Sequence, residues 1–176
     1  VTLVADHWPG TGSPVVLAHG GGQTRHSWGG TAAALAARGH RVLSLDLRGH
    51  GESSWDPTGD YTMDRYRDDA LTAVDWVGEP VGWVGASLGG MTGLHAVDHA
   101  PEAFTSLVLV DITPRPAKAG VDRILEFMAD RAEVGFASLE EAAEDGDREA
   151  IAGAVGTVGK ACKACHDEYK AKDYLY

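Results

Sequence analysis

No window of eighteen consecutive apolar residues occurs in this sequence, so it holds no segment that could serve as a membrane-spanning helix. It does not open with a basic stretch leading into an apolar one, which excludes a visible secretory signal and sets a cytoplasmic expectation. The first residue is Val1 rather than Met, which fits a processed N-terminus, a fragment or a non-standard start codon translated literally. Basic residues are few: 15 Lys and Arg stand against 26 Asp and Glu, a formal charge of −11. They form no patch, and nucleic-acid binding draws most of its affinity from clustered Lys and Arg, so no nucleic-acid partner is expected. There is no internal repeat and no low-complexity tract. Cysteine is confined to Cys162 and Cys165, which leaves no second ligand pair for a four-ligand zinc site.

What is present is ordinary for a globular protein: 44% apolar and 23% charged residues in a chain of 176. That length favours one domain and leaves room for an appended helix. Acidic residues concentrate between Asp122 and Glu149, where they are expected to coat solvated helix faces.

Short apolar runs at Val15–Ala18, Val42–Leu47 and Val81–Val84 alternate with helical patterns, and a fourth follows at Leu107–Val110. Strands alternating with helices imply an α/β fold with a parallel, doubly wound sheet, and runs without polar alternation imply helices on both faces. The spacing predicts helices over Thr31–Arg38, closed by Gly39, over Asp64–Val77 and over Leu88–His99, which stops before Pro101. Beyond Pro114 and Pro116 the pattern is all helical: Val121, Ile124, Leu125 and Met128 mark one amphipathic helix, and Ser138 with Glu141 is a capping-box start for another. After the charged joint Asp145-Gly146-Asp147, residues Ile151, Val155, Val158, Cys162, Cys165 and Tyr169 follow a heptad seam.

Gly85-Ala86-Ser87-Leu88-Gly89 lies directly after a predicted strand and directly before a predicted helix. In that context Gly-x-Ser-x-Gly reads as a nucleophile elbow, in which small neighbours permit the strained turn that exposes the serine. Ser87 is then the nucleophile, and the Leu88 N–H at the start of the helix faces the developing oxyanion. His19-Gly20-Gly21-Gly22 follows the Val15–Ala18 strand, where a second donor is needed, and Gly21 supplies it.

With these two motifs and Asp46-Leu47-Arg48-Gly49-His50-Gly51-Glu52-Ser53, the first 143 or so residues resemble the α/β-hydrolase superfamily. They are similar to the branch containing epoxide hydrolases, non-haem haloperoxidase-like enzymes and esterases. The resemblance implies a serine hydrolase of small ester-type substrates that needs no cofactor, with a cap region entered at Leu109-Val110-Asp111-Ile112-Thr113-Pro114. It also implies a triad in the order Ser, acid, His. Asp111 is a candidate acid or a strand-end capping carboxylate. The histidines after Ser87 are His95, His99 and His166. The first two run away from the serine along its helix, whereas His26 and His50 are placed on loops at the active-site end.

Cys162-Lys163-Ala164-Cys165-His166 has the c-type haem spacing, two thiols for the vinyl groups and an adjacent imidazole for the iron. A redox dithiol, a disulfide or half a zinc site would use the cysteines without needing His166. The run from about Asp145 resembles the C-terminal helix of cytochrome c′, which implies haem c on Cys162 and Cys165 with His166 as axial ligand. Loaded haem would imply an electron-transfer or gas-binding role, a redox partner and periplasmic maturation.

The expected organisation is therefore an α/β-hydrolase-like core over 1–116, with a truncated sheet. The start of a cap-like helical region over 117–144 and a haem-attachment helix over 145–176 follow. Three functions remain: a serine hydrolase, a haem module, or a fusion of two truncated genes with neither activity. A sheet that stops at Leu107–Val110 is expected to leave an open edge and an uncovered apolar face.

Overall fold

The computed structural model describes residues 1–114 together with Asp122. The chain divides into two compact units, Val1–Pro114 and Arg115–Tyr176. The first unit holds β1 (Ala5–Trp8), β2 (Gly12–Ala18), a 3₁₀ turn (Arg25–Trp28), α1 (Gly29–Ala36) and β3 (His40–Leu45). These are followed by α2 (Met63–Val77), β4 (Val81–Ala86), α3 (Leu88–His99), a second 3₁₀ turn (Pro101–Ala103) and β5 (Phe104–Val110). The strands form one sheet in the order β1-β3-β2-β4-β5.

The central strands β2, β3 and β4 read as apolar runs because helices cover both of their faces. Val16 and Ala18 of β2 and Leu43 and Leu45 of β3 pack with Trp83 against Tyr66, Ala70, Ala73 and Val74 of α2 and Ala96 of α3. On the opposite face Leu17 and Val42 meet Ala32 of α1, with Trp28, Leu35 and Val84 around them. The α2 residues recur at helical spacing, so one stripe is buried. That helix closes at Gly78, whose φ of 82° is the left-handed C-terminal geometry.

The expected α/β architecture is present, with β2, β3, β4 and β5 parallel. The purely parallel sheet is corrected in one respect: β1 joins the β3 edge antiparallel, Ala5 opposite Leu45 and Trp8 opposite Val42. Its four residues, Ala-Asp-His-Trp, carry no apolar run to announce a strand. Asp6 instead accepts a hydrogen bond from Arg25 Nε at 3.0 Å, and His7 stands edge-on to Trp76 at 5.5 Å.

Strand β3 starts two residues before the expected Val42 and stops before Asp46. Its early start follows from pairing with Gly12 and Pro14, and its end from the carboxylate of Asp46, which turns into a side-chain network. Helix α1 covers Gly29–Ala36 rather than Thr31–Arg38, because Arg38 and Gly39 donate to Leu35 and Ala36 in a tightened last turn. The expected helices around Val121–Met128 and from Ser138, the segments 117–144 and 145–176, and Cys162, Cys165 and His166 all lie outside the described residues. Among the described residues no helix is long and apolar enough to cross a membrane.

As expected, β5 is an edge: among the described residues it pairs only with β4. Helix α3 approaches one of its faces, where Gly93 and Gly90 lie close to the side chains of Leu107 and Leu109. On the strand's other face Val108 and Val110 remain 48% and 38% exposed. Strands of this kind template edge-to-edge association, and a lysine blocks it. Val108→Lys is expected to leave the thermal unfolding midpoint within the change that about 0.5 kcal/mol produces, and to lower light scattering on concentration. A large loss of stability would show that this face is covered.

Candidate functional site

The feature that sets the site is the turn between β4 and α3. Ser87 has φ 44° and ψ −108°, a positive φ that a non-glycine residue adopts only under constraint from its surroundings. The constraints are visible: Ser87 N–H donates to Val110 O at 3.0 Å, Gly89 N–H to His19 O at 3.1 Å and Met91 N–H to Ser87 O at 2.9 Å. A Cβ on Gly85 would overlap the Gly89 carbonyl, and one on Gly89 would overlap the Ala18 carbonyl. The two glycines of the motif are thus required by close backbone approach. The turn leaves Ser87 exposed at the C-terminal edge of the sheet.

The loop after β2 lies against the same serine. The point where a Gly20 side chain would begin is 3.5 Å from Ser87 Cβ. That loop is held from several directions. His19 is fully buried, its Nδ1–H donates to Gly20 O at 2.7 Å, and its Nε2 accepts from Leu47 N–H at 3.1 Å. Gln23 closes the turn twice: its N–H donates to Gly20 O at 3.2 Å and its Oε1 accepts from Gly20 N–H at 2.9 Å. Among the described residues, neither Leu88 N–H nor Gly21 N–H has an acceptor.

Behind the loop a buried ion network fixes the strand ends. Asp46 is fully buried and accepts from Arg25 N–H at 2.6 Å, from Glu52 N–H at 3.0 Å and from the Arg25 guanidinium. Burial alone would raise its carboxyl. The two backbone donors and the guanidinium outweigh burial and hold it below the ordinary carboxylate range. Arg25 also reaches Glu52, and Ser44 Oγ donates to Arg25 O at 2.8 Å. Arg48 grips Asp69 of α2 with two bonds of 2.6 and 2.8 Å and reaches Asp60 O at 2.8 Å, anchoring the 56–60 loop to that helix.

Ser87, Leu88 and Gly21 are thus brought to one end of the sheet. Asp111 stands directly after β5 with φ 55°. Among the described residues no hydrogen bond reaches Ser87 Oγ, so none of the described histidines is bonded to it. His26 is not on a loop as expected but within the 3₁₀ turn, 67% exposed and 3.7 Å from Asp6. His50 Nδ1–H donates to Arg48 O at 2.9 Å, and its ring stands 5.0 Å from that of His19. His95 is half-buried and His99 exposed along α3. Reading the motifs missed Gln23 and Arg25. Both sit in the run after the glycines, but their partners are reached only across the fold.

Burial pushes the His19 imidazole below its ordinary value, aided by His50 and only partly opposed by the bond to Gly20 and by Asp46. A depressed folded value favours the neutral ring, so the stability it contributes is present above about pH 6.5 and is lost as the pH falls below that. The urea midpoint is expected to drop between about pH 7.5 and 5.5. His19→Gln should be less stable at the higher pH yet lose less over the interval, and equal slopes in the two proteins would refute this role.

Comparison with known proteins fits the geometry. Residues 13–140 match the family described as alpha/beta hydrolase fold, and residues 124–170 match the family described as Cytochrome C′. The chain is 35% identical over 113 residues to an esterase of Mycobacterium tuberculosis, covering 64% of this chain and 37% of that protein. It is 41% identical over 106 residues to a pimeloyl-[acyl-carrier protein] methyl ester esterase of Methylococcus capsulatus, covering 60% and 39%. A thermophilic esterase from Thermogutta terrifontis superposes with a TM-score of 0.65 at 25% identity, over 78% of this chain and 53% of that one. The chain spans about two-fifths of the length of these curated relatives. A family match over most of the chain, on a sheet that holds its serine turn in this way, means that the chain belongs to the alpha/beta hydrolase fold family.

Proposed function

We propose that this chain is a serine hydrolase acting on small ester-type substrates, with Ser87 as nucleophile in a nucleophile elbow. The observation that carries the reading is an exposed serine at φ 44° on the turn into α3, with Leu88 N–H next to it and Gly21 N–H in the loop after β2 both without an acceptor among the described residues. In this reaction Ser87 Oγ attacks the ester carbonyl carbon, its proton passes to a base, and the carbonyl oxygen becomes an oxyanion between the two N–H groups. The oxyanion then collapses and expels the alcohol with a proton. Water repeats the sequence on the acyl-enzyme and frees the acid. Asp111, placed next to the Val110 carbonyl that holds the Ser87 turn, is the candidate acid for orienting a base. The resemblance to esterases favours neutral carbonyl esters as the substrate class.

A neutral fluorophosphonate is expected to label the wild-type protein at Ser87, seen as one adduct in the intact mass, and Ser87→Ala should abolish both label and ester turnover. A folded wild-type protein that takes no label would refute this reading and leave the fusion of two truncated genes.

A second reading is favoured by the match of residues 124–170 to the Cytochrome C′ family and by the donor set within it. Two thiols three residues apart with an adjacent imidazole are the groups that covalent haem attachment uses. We propose that Cys162 and Cys165 would hold haem c by thioethers and His166 would take the axial position. The haem would supply one-electron or gas-binding chemistry. Expression with an export signal and haem-maturation machinery should add one haem to the intact mass, and Cys162→Ala/Cys165→Ala should remove it. An unmodified wild-type mass under those conditions excludes haem attachment.

A further inference from the structure

We propose that Gln23 is a positioning residue for the Ser87 site: its side-chain carbonyl, by taking Gly20 N–H, clamps the loop after β2 in contact with the serine. This rests on the reading of Ser87 as nucleophile and of Gly21 N–H as its second oxyanion donor. The clamp is double. Gln23 Oε1 accepts from Gly20 N–H at 2.9 Å, and Gln23 N–H donates to Gly20 O at 3.2 Å. One residue therefore binds both backbone polar groups of Gly20, and it commits Gly20 N–H while leaving Gly21 N–H without an acceptor among the described residues.

Gly20 is where this loop meets the serine. It is buried, and the point where its Cβ would stand is 3.5 Å from Ser87 Cβ, 3.7 Å from Ala86 O and 3.2 Å from Gln23 Oε1. The glycine is thus pressed between the serine turn on one side and the clamping oxygen on the other, so any shift of Gly20 changes the spacing between loop and nucleophile.

Packing does not supply this restraint. Gly20-Gly21-Gly22 is the least restricted backbone a chain can have, and Gly22 stands at φ 73°. Gly21 and Gly22 are exposed, and a side chain at Gly21 would meet nothing within 4 Å. The ends of the segment are fixed elsewhere: Gly20 O also accepts from the buried His19 ring at 2.7 Å, and Arg25 N–H donates to Asp46 at 2.6 Å. Between those anchors the two bonds of Gln23 close the glycine turn. An oxyanion donor works only if it is held in place before the charge develops, and Gln23 supplies that hold.

Gln23→Met keeps the length of the side chain and removes the acceptor, whereas Gln23→Glu keeps an oxygen at the same reach for Gly20 N–H. Gln23 is exposed, so neither change opens the core. Phosphonylation of the full chain by a neutral fluorophosphonate would be followed to saturation, which separates probe binding from the limiting rate, and the thermal unfolding midpoint would be measured beside it. Gln23→Met is expected to lower the limiting rate by about tenfold or more, with probe binding and midpoint near wild type, and Gln23→Glu to recover most of that rate. A Gln23→Met protein labelled at the wild-type limiting rate overturns the proposal. So does a loss that Gln23→Glu does not recover, or one that comes with a matching fall in the midpoint, since an oxygen on Gly20 N–H is then not what sets the rate. A wild type that takes no label refutes the Ser87 reading and this role with it. A labelled wild type beside an unaltered Gln23→Met protein refutes Gln23 alone.

Discussion

Asp46 is a carboxylate with no exposure to solvent, and a charge in that position persists only if several donors converge on it. Three do: the backbone N–H groups of Arg25 and Glu52, and the Arg25 guanidinium. Its own backbone adds two more ties, donating to Val4 O at 2.9 Å and accepting from Ser53 Oγ at 2.7 Å. Ser53 in turn accepts from Val4 N–H at 2.8 Å. One residue at the end of β3 thereby joins the N-terminal segment, the 3₁₀ turn and the 49–53 turn. Leaving a buried charge of this kind without its partner costs about 3–5 kcal/mol, a large part of a domain's usual stability of about 5–15 kcal/mol.

That network matters to the serine because strain must be held from outside. The turn that holds Ser87 at φ 44° is fixed by Ser87 N–H on Val110 O and Gly89 N–H on His19 O, two acceptors at neighbouring strand ends. The backbone carbonyl of His19 holds Gly89, and the His19 ring is fixed between Gly20 O and Leu47 N–H. Leu47 is the residue after Asp46. A chain of named contacts therefore runs from the buried carboxylate through the imidazole to the turn that carries Ser87. Depression of the imidazole's protonation by burial keeps Nε2 an acceptor, which this chain of contacts needs.

Much of this was legible in the sequence, for reasons that differ by residue. The α3 bounds were read to the residue, because Gly-x-Ser-x-Gly opens the helix and Pro101 follows its end. The parallel strands are legible as apolar runs, which in β2, β3 and β4 reflect cover on both faces. Strand β1 was not, because Ala5-Asp6-His7-Trp8 owes its extended form to partners elsewhere: Val42 to Leu45 on β3, Arg25 and Trp76. The same limit applies at the site. Ser87, Leu88 and Gly21 stand in motifs whose spacing announces them. Gln23 and Arg25 are not announced, because their partners Gly20 and Asp46 are met only in the fold.

On the proposed reading, the site separates two parts of serine catalysis that are usually found together. Donors for an oxyanion come from backbone and from a local turn, so they are complete once β2, β4 and α3 are in place. A base must be delivered by a side chain, and among the described residues no hydrogen bond reaches Ser87 Oγ. The two parts do not contribute equally. Sites stripped of a triad member retain roughly 10³–10⁴-fold acceleration over water from the oxyanion donors and binding alone. On the proposed reading, the strained turn and its donors are the part of that chemistry which the described residues supply. The conformation of Ser87 follows from the constraints that hold φ at 44°, and those run back through His19 to Asp46.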